Sequence, residues 1–383
     1  MVDGKQRELQ FLRRGRLAWR EVAAPRLHGP GDAIVRPFLA GRCDGDTLPI
    51  HRPVSRAMQL GIAAGAIDPV VGCICGKVPF NGPFGIGHEC VAQVVEVGDS
   101  VTGIEVGQTV VVPWAVSCGS CPQCLRGLTS KCSVTTDRTL AAYGFGPASG
   151  PWGGMVTDRL RVPFADHMLV PVPEGVPPLR VAAASDNLAD AWRAVVPPLQ
   201  HHPEARVLVL GGGASSIGLY AAGLAVAHGA AAVDYADPSQ TRRQIAESFG
   251  ARTLAPPAGR RSRRLRPPGH YDIVVEASST SVGLRQAIRA LAPGGTCTAV
   301  GYYVGTVTGV PVMRMYATSA TLHLGVSHVR AVLPELLDFV ARTGFPAENV
   351  TTLTADWDDA PTAYAAHTTK VVLERDPITL SAA

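Results

Sequence analysis

The chain contains no run of eighteen or more apolar residues, which excludes an apolar segment long enough for a transmembrane helix. Its first residues, Met1-Val-Asp-Gly-Lys-Gln-Arg7, lack the apolar core of a secretory signal. Charge is also scarce: 17% of residues are charged and the net charge is +4, too small and dispersed to mark a nucleic-acid-binding surface. Internal repeats and low-complexity tracts are absent as well. These absences predict a cytoplasmic protein with no membrane or nucleic-acid partner. The one basic run, Arg-Arg-Ser-Arg-Arg-Leu-Arg at 260–266, lies between Pro256-Pro257 and Pro267-Pro268 and is expected as a solvated surface loop rather than a polyanion site.

What is present describes a well-buried globular protein. Hydrophobic residues make up 46% of 383 positions, and that length suits two domains better than one core. Up to about residue 185 the chain consists of short β-like runs, such as 91–97 and 109–113, separated by glycine and proline turns, which predicts a compact, mostly β domain. From 186 to 326 the pattern changes to apolar strands at 207–210, 232–236, 273–275 and 296–300, alternating with helical stretches such as 217–228. That alternation predicts a doubly wound α/β nucleotide-binding domain. The tail offers a helix around 334–342 and a closing strand at 370–373.

Four of the nine cysteines, Cys118, Cys121, Cys124 and Cys132, follow the spacing C-x2-C-x2-C-x7-C. Four thiolates that close in sequence can surround one tetrahedral Zn²⁺ and leave no open position, so the spacing predicts a structural zinc, with a pair of disulfides as the alternative. Gly119 and Pro122 between the ligands suit a tight metal knuckle. Thiolate ligands also need a reducing compartment. Cys73, Cys75, Cys90 and Cys297 lie in apolar surroundings and are expected as buried small hydrophobes.

A glycine-rich turn, Gly211-Gly-Gly213-Ala-Ser215-Ser216-Ile217-Gly218, follows one apolar strand and opens one helix, the context of a dinucleotide fingerprint. Glycines let the backbone approach a pyrophosphate, and the first helical turn supplies N–H donors and a positive dipole end. A plain G-x-G-x-x-G would need glycine at Ser216; either the loop is two residues longer or Ser215 replaces the middle glycine. Asp237 ends the next strand, where a carboxylate accepts from the adenosine ribose hydroxyls and repels a 2′-phosphate. NAD is therefore expected over NADP, with a plain turn role before Pro238 as the competing explanation of Asp237. Arg242 and Arg243 follow closely and would soften that selectivity.

Together the Gly87-His88-Glu89 motif, the four-cysteine knuckle and the glycine-rich turn resemble the zinc-containing alcohol dehydrogenases of the medium-chain dehydrogenase/reductase superfamily, from about residue 15 to about residue 376. The resemblance implies a GroES-like, mostly β catalytic domain at 1–185 and 327–383, with the structural zinc lobe, and a Rossmann NAD-binding domain at 186–326 inserted into it. It implies a second, catalytic zinc held by Cys43, His88 and Asp186. Relatives carry cysteine at the third position or, in a branch with formaldehyde-dehydrogenase-like members, aspartate; capping the following helix is the alternative role for Asp186. A thiolate, an imidazole and a carboxylate leave the metal formally neutral and Lewis-acidic. Asp46 is implied as the partner that orients His88, a helix or turn role being the alternative, and Glu89 as a group that sits behind the metal or transiently replaces its water. Lys370 occupies the place of a basic residue near the pyrophosphate, or is a plain surface lysine. The reaction implied is hydride transfer between an alcohol, or its aldehyde or ketone, and NAD(H), with zinc activating the oxygen. Relatives associate through the nucleotide domain as homodimers or homotetramers, and the apolar stretch 302–312 is the candidate edge.

The chain departs from this family where relatives pass a proton outward. Gly45 stands where a serine or threonine hydroxyl is usual, Leu48 where histidine is frequent, and Asp190 where threonine is common. Thr47, His51 and Asp190 are the candidate replacements. The stretch between Cys43 and His88 is also longer than in short family members, and its segment 54–64 is expected as an extra helix that lines or lids the substrate pocket. Two other functions stay open at this level: an aldehyde dehydrogenase or dismutase that retains NAD, and a non-catalytic sensor or scaffold that binds zinc and nucleotide.

Overall fold

The computed structural model of the protein describes residues 4–136, 139–255 and 269–379; the basic run at 260–266 lies outside them. The chain divides into two compact units, Met1–Ala189 with His328–Ala383, and Asp190–Ser327. The first boundary falls later than expected, so Asp186 belongs to the same unit as Cys43 and His88. Among the described residues no helix is long and apolar enough to cross a membrane.

In the first unit, the strand Ala33–Gly41 is the centre of a seven-stranded sheet. It pairs antiparallel with Glu89–Val97, setting Gly41 opposite Glu89 and Ala40 opposite Cys90. On its other side the returning tail, Val371–Glu374, pairs antiparallel with Val372 opposite Gly41, and carries Leu353–Asp356 as a parallel outer strand. Val35, Val91, Val94, Val110, Met155 and Val162 are buried on this sheet, and a second core gathers Leu9, Phe11, Ile50, Phe84, Trp357, Tyr364 and Leu373. Register decides the site. Cys43 leaves the end of one strand, His88 precedes its neighbour, and Lys370 precedes the third, so three segments distant in sequence meet at one sheet end.

The long connection between Cys43 and His88 folds as helices Thr47–His51, Val54–Ala63 and Val70–Cys75. The expectation that Cys73 is buried is corrected: it is exposed, whereas Cys75, Cys90 and Cys297 are buried. Helical periodicity is the reason, because Val71 and Cys75 are four residues apart on the inward face and Cys73 lies between them on the other.

The second unit is a six-stranded, wholly parallel sheet in the order Arg252–Leu254, Ala232–Ala236, Arg206–Leu210, Tyr271–Glu276, Leu291–Ala299, Thr321–Leu324. Counted within the unit this is 3-2-1-4-5-6, the doubly wound order of dinucleotide-binding domains. The near-continuous apolar strands Val207–Leu210 and Ile273–Val275 are fully buried, as a sheet covered on both faces requires.

Candidate metal centre and nucleotide turn

Cys43 Sγ, His88 Nε2 and Asp186 each offer one ligand atom within 4.8 Å of the others. The Cys43 thiol contacts Asp186 Oδ2 at 3.0 Å, and His88 Nε2 lies 3.4 Å from the same oxygen. Zinc bond lengths to sulfur, nitrogen and oxygen in a tetrahedral site imply ligand-to-ligand separations of roughly 3.3–3.6 Å, which the His88–Asp186 distance matches and the Cys43–Asp186 contact undercuts by a few tenths of an ångström, so these donors fit a zinc ion in number and chemistry and need only a small spreading in spacing. Backbone contacts explain how Asp186 reaches the pair. Ser185 Oγ both accepts from Cys90 N–H and donates to Cys90 O, each at 3.0 Å, which clamps the residue before Asp186 onto the central sheet. Gly41 is needed opposite, since a Cβ there would collide with the Glu89 carboxylate.

The electrostatics call for a cation. Burial, followed by the Asp186 carboxylate and its acidic neighbours, pushes the Cys43 thiol well above its usual range. Burial would lower His88, but Asp46 and Asp186 outweigh it and raise the imidazole to about 9. Burial would raise Asp186, yet the hydrogen bond and charge of His88 hold it below the usual carboxylate range. A divalent cation bound here would displace the protons that these shifts favour on Cys43 and His88. Asp46 faces His88 Nδ1 at 3.5 Å, longer than a hydrogen bond, and its other oxygen accepts from Tyr364 Oη at 2.9 Å.

Behind these ligands lies a buried polar network. Lys370 Nζ donates to Glu89, to Asn187 Oδ1 at 2.9 Å and to Arg42 O at 3.1 Å. This corrects both expectations for Lys370. It is fully buried rather than a surface lysine, and its three N–H groups are committed here, leaving none for a pyrophosphate. Glu89 also accepts from Asn187 N–H at 2.9 Å, and Asn187 Nδ2 donates to Cys43 Sγ at 3.1 Å. Arg42 fixes the incoming tail by donating to the carbonyls of Tyr364, Ala366 and Thr368 at 2.8, 2.6 and 2.6 Å.

Of the candidate proton carriers, the Thr47 hydroxyl donates to Asp44 O at 2.6 Å and so closes a turn. His51 stacks on His367 with ring centroids 4.0 Å apart. Its Nε2 is buried without a hydrogen-bond partner among the described residues. Asp190 falls in the second unit, where it pairs with Arg193. An aromatic wall flanks His88, one of the candidate ligands: the Phe145 ring lies 4.7 Å from that of His88 and 5.5 Å from that of Trp114.

The four knuckle cysteines bring their sulfurs within 4.8 Å of one another, and all nine cysteines are free, which removes the disulfide alternative. Cys118 and Cys121 are linked by a 3.3 Å N–H···S bond from Cys121 to Cys118 Sγ, the kind of backbone donor a thiolate ligand uses.

In the second unit the helix Ser215–Ala227 opens directly after the glycine turn, with Ser216 and Ile217 in its first turn. Gly211 leaves room for Asp237, whose Oδ2 a Cβ would strike, and Gly213 donates to Ser278 O at 3.2 Å. A Cβ at Gly218 would lie 3.3 Å from Ala277 Cβ, so this glycine allows the helix close to the sheet. Gly213, Ser215 and Gly218 thus keep the fingerprint spacing with serine at the middle position. Asp237 is fully buried; Tyr235 Oη, Ser239 N–H and two nitrogens of Arg242 donate to its carboxylate at 2.7–3.0 Å, and Arg243 donates to its carbonyl at 2.7 Å.

Residues 29–174 match the alcohol dehydrogenase GroES-like domain, and residues 216–342 match the zinc-binding dehydrogenase domain. A probable zinc-binding alcohol dehydrogenase of Mycobacterium tuberculosis is 32% identical over 76% of this chain and 73% of its own length. The chain belongs to the zinc-binding alcohol dehydrogenase family. The alcohol dehydrogenase TADH from Thermus sp. ATN1 shares the fold with a TM-score of 0.78 and 28% identity, covering 96% of this chain and 99% of that one. L-threonine 3-dehydrogenase of Pyrococcus horikoshii is 30% identical over 58% of this chain and 60% of its own. For this family member, sequence reasoning missed Arg42, Ser185, Asn187, Tyr364 and the Phe145–Trp114 wall. Ser185 and Asn187 were signalled only by their places beside Asp186; the others are brought to the site by tertiary packing of loops and turns and carry no local motif.

Proposed function

We propose that this dehydrogenase oxidises a primary or secondary alcohol, or reduces its carbonyl partner, with zinc at Cys43, His88 and Asp186 and NAD at the glycine turn. The convergence of those three side chains carries the reading. When bound, zinc supplies Lewis acidity toward the substrate oxygen and NAD exchanges the hydride. The protein's residues do the rest. Asp46, held by Tyr364, faces the outer nitrogen of His88, and the Phe145–Trp114 wall offers apolar surface beside His88 that favours a hydrocarbon-bearing substrate over water.

With Gly45 in place of a hydroxyl and Thr47 tied to Asp44, His51 stacked on His367 is the proton carrier we favour in the first unit. The helices Val54–Ala63 and Val70–Cys75 serve as a lid on the substrate side, and deleting them is expected to change substrate preference across an alcohol panel; unchanged kinetics would remove that role. Tyr235, Ser239 and Arg242 already take the four acceptor positions of Asp237, which corrects the expectation that it accepts from the ribose hydroxyls; it favours NAD over NADP through the negative charge it places at the strand end. A second copy of the chain joins along the apolar stretch 302–312, continued by the helix Val312–Thr318 and the outer strand Thr321–Leu324, where Tyr302, Val307, Val312, Met313, Tyr316 and Leu324 are exposed.

The aspartate ligand favours one further reading, an aldehyde dehydrogenase or dismutase that keeps NAD bound. Steady-state assays with NAD across primary alcohols, secondary alcohols and aldehydes separate the possibilities. Alcohol-dependent NADH formation supports the main reading. NAD that survives purification together with aldehyde turnover supports the second, and nucleotide binding without turnover across the panel contradicts both in favour of a sensor.

A further inference from the structure

Asn187 follows Asp186 directly, opens the helix Asn187–His201 and is fully buried. Lys370 Nζ donates to its Oδ1 at 2.9 Å, while its Nδ2 donates to Cys43 Sγ at 3.1 Å and to Asp186 Oδ2 at 3.0 Å. Its own backbone N–H is anchored on Glu89 Oε1 at 2.9 Å. The direction of this chain is fixed by chemistry. An ammonium has only donors, so the amide oxygen must face Lys370 and both amide N–H groups must face the sulfur and the carboxylate. Lys370 cannot turn away, because Glu89 and the Arg42 carbonyl take its other two N–H groups.

We propose that Asn187 is a positioning residue of the metal centre. It holds Cys43 Sγ and Asp186 Oδ2 as a pair opposite His88 Nε2, and it relays the polarisation of the buried Lys370 onto the thiolate, which then gives less electron density to a bound divalent cation. Hydrogen bonds in series polarise one another, and donors to ligand atoms fix ligand orientation. Asparagine meets both demands at once. Aspartate would place an acceptor against two anionic ligand atoms, and leucine would offer neither an acceptor to the ammonium nor donors to the ligands. The inference rests on the reading of Cys43, His88 and Asp186 as metal ligands.

The test uses full-length wild type, Asn187→Leu and Asn187→Ala, with zinc affinity measured by chelator competition and the cobalt(II)-loaded proteins compared by absorption. The spectrum of Cys43→Ser, loaded identically, is subtracted to isolate the thiolate-to-cobalt band of Cys43 from those of the four-cysteine knuckle. Zinc at the Cys43 site is expected to bind about 10–100-fold more weakly in Asn187→Leu, and the Cys43 band to move to longer wavelength, with knuckle zinc unchanged. Asn187→Ala, which leaves room for water, is expected to shift the same way and decides the matter if the leucine variant does not fold. An unshifted band and unchanged affinity in either folded variant would overturn the proposal. Failure of the wild type to bind metal at the Cys43 site would overturn the ligand reading beneath it as well.

Discussion

Lys370 Nζ donates to the Glu89 carboxylate in an ion pair whose two side chains have 0% exposure. One half of such a pair cannot be removed cheaply, because the other charge stays buried without a partner. Lys370→Met and Glu89→Gln are each expected to cost about 3–5 kcal/mol, and the double variant less than their sum. Chemical denaturation of the zinc-loaded proteins measures this; additive single effects would show that the two groups do not act as a pair.

Asp237 carries four donors, two of them from Arg242. Replacing it by alanine would remove the carboxylate proposed to disfavour a 2′-phosphate and would free the Arg242 guanidinium. The ratio of kcat/KM for NAD over NADP is expected to exceed one in the wild type and to fall at least tenfold in Asp237→Ala. A wild type that prefers NADP would contradict this account of the strand end.

In the second unit, burial lifts Glu276 to about 7 although Ser278 N–H donates to it at 2.9 Å. A carboxyl raised on folding is protonated in the native protein at pH values where the unfolded chain has already lost its proton. Its contribution is therefore present below the ordinary value of 4.5 and is lost as pH rises through about 7. From pH 5 to pH 8 the wild type is expected to lose on the order of 3 kcal/mol relative to Glu276→Gln. Parallel loss in both proteins would mean that other groups carry the pH dependence.

Much of the fold was legible because it is written in local patterns. The apolar strands at 207–210 and 232–236 and the glycine turn at 211–218 announce a doubly wound sheet before any contact is known. The helix expected at 54–64 forms as Val54–Ala63. The cysteine spacing likewise needs no tertiary information, since its four sulfurs meet within one loop. Lys370 was misread for the opposite reason. Its neighbours are set by Val372 lying opposite Gly41, a pairing between positions more than three hundred residues apart that no periodicity announces. Arg42 and Tyr364 were missed on the same ground, and Cys73 was misassigned because a short apolar segment does not say which face of its helix is inward.

Zinc per chain, measured by elemental mass spectrometry on wild type and Cys43→Ser purified without chelator, tests the central claim most directly. The account predicts two zinc ions in the wild type and one in the variant, the remaining ion held by Cys118, Cys121, Cys124 and Cys132. One zinc in both proteins would leave only the knuckle occupied and would contradict a metal centre at Cys43, His88 and Asp186.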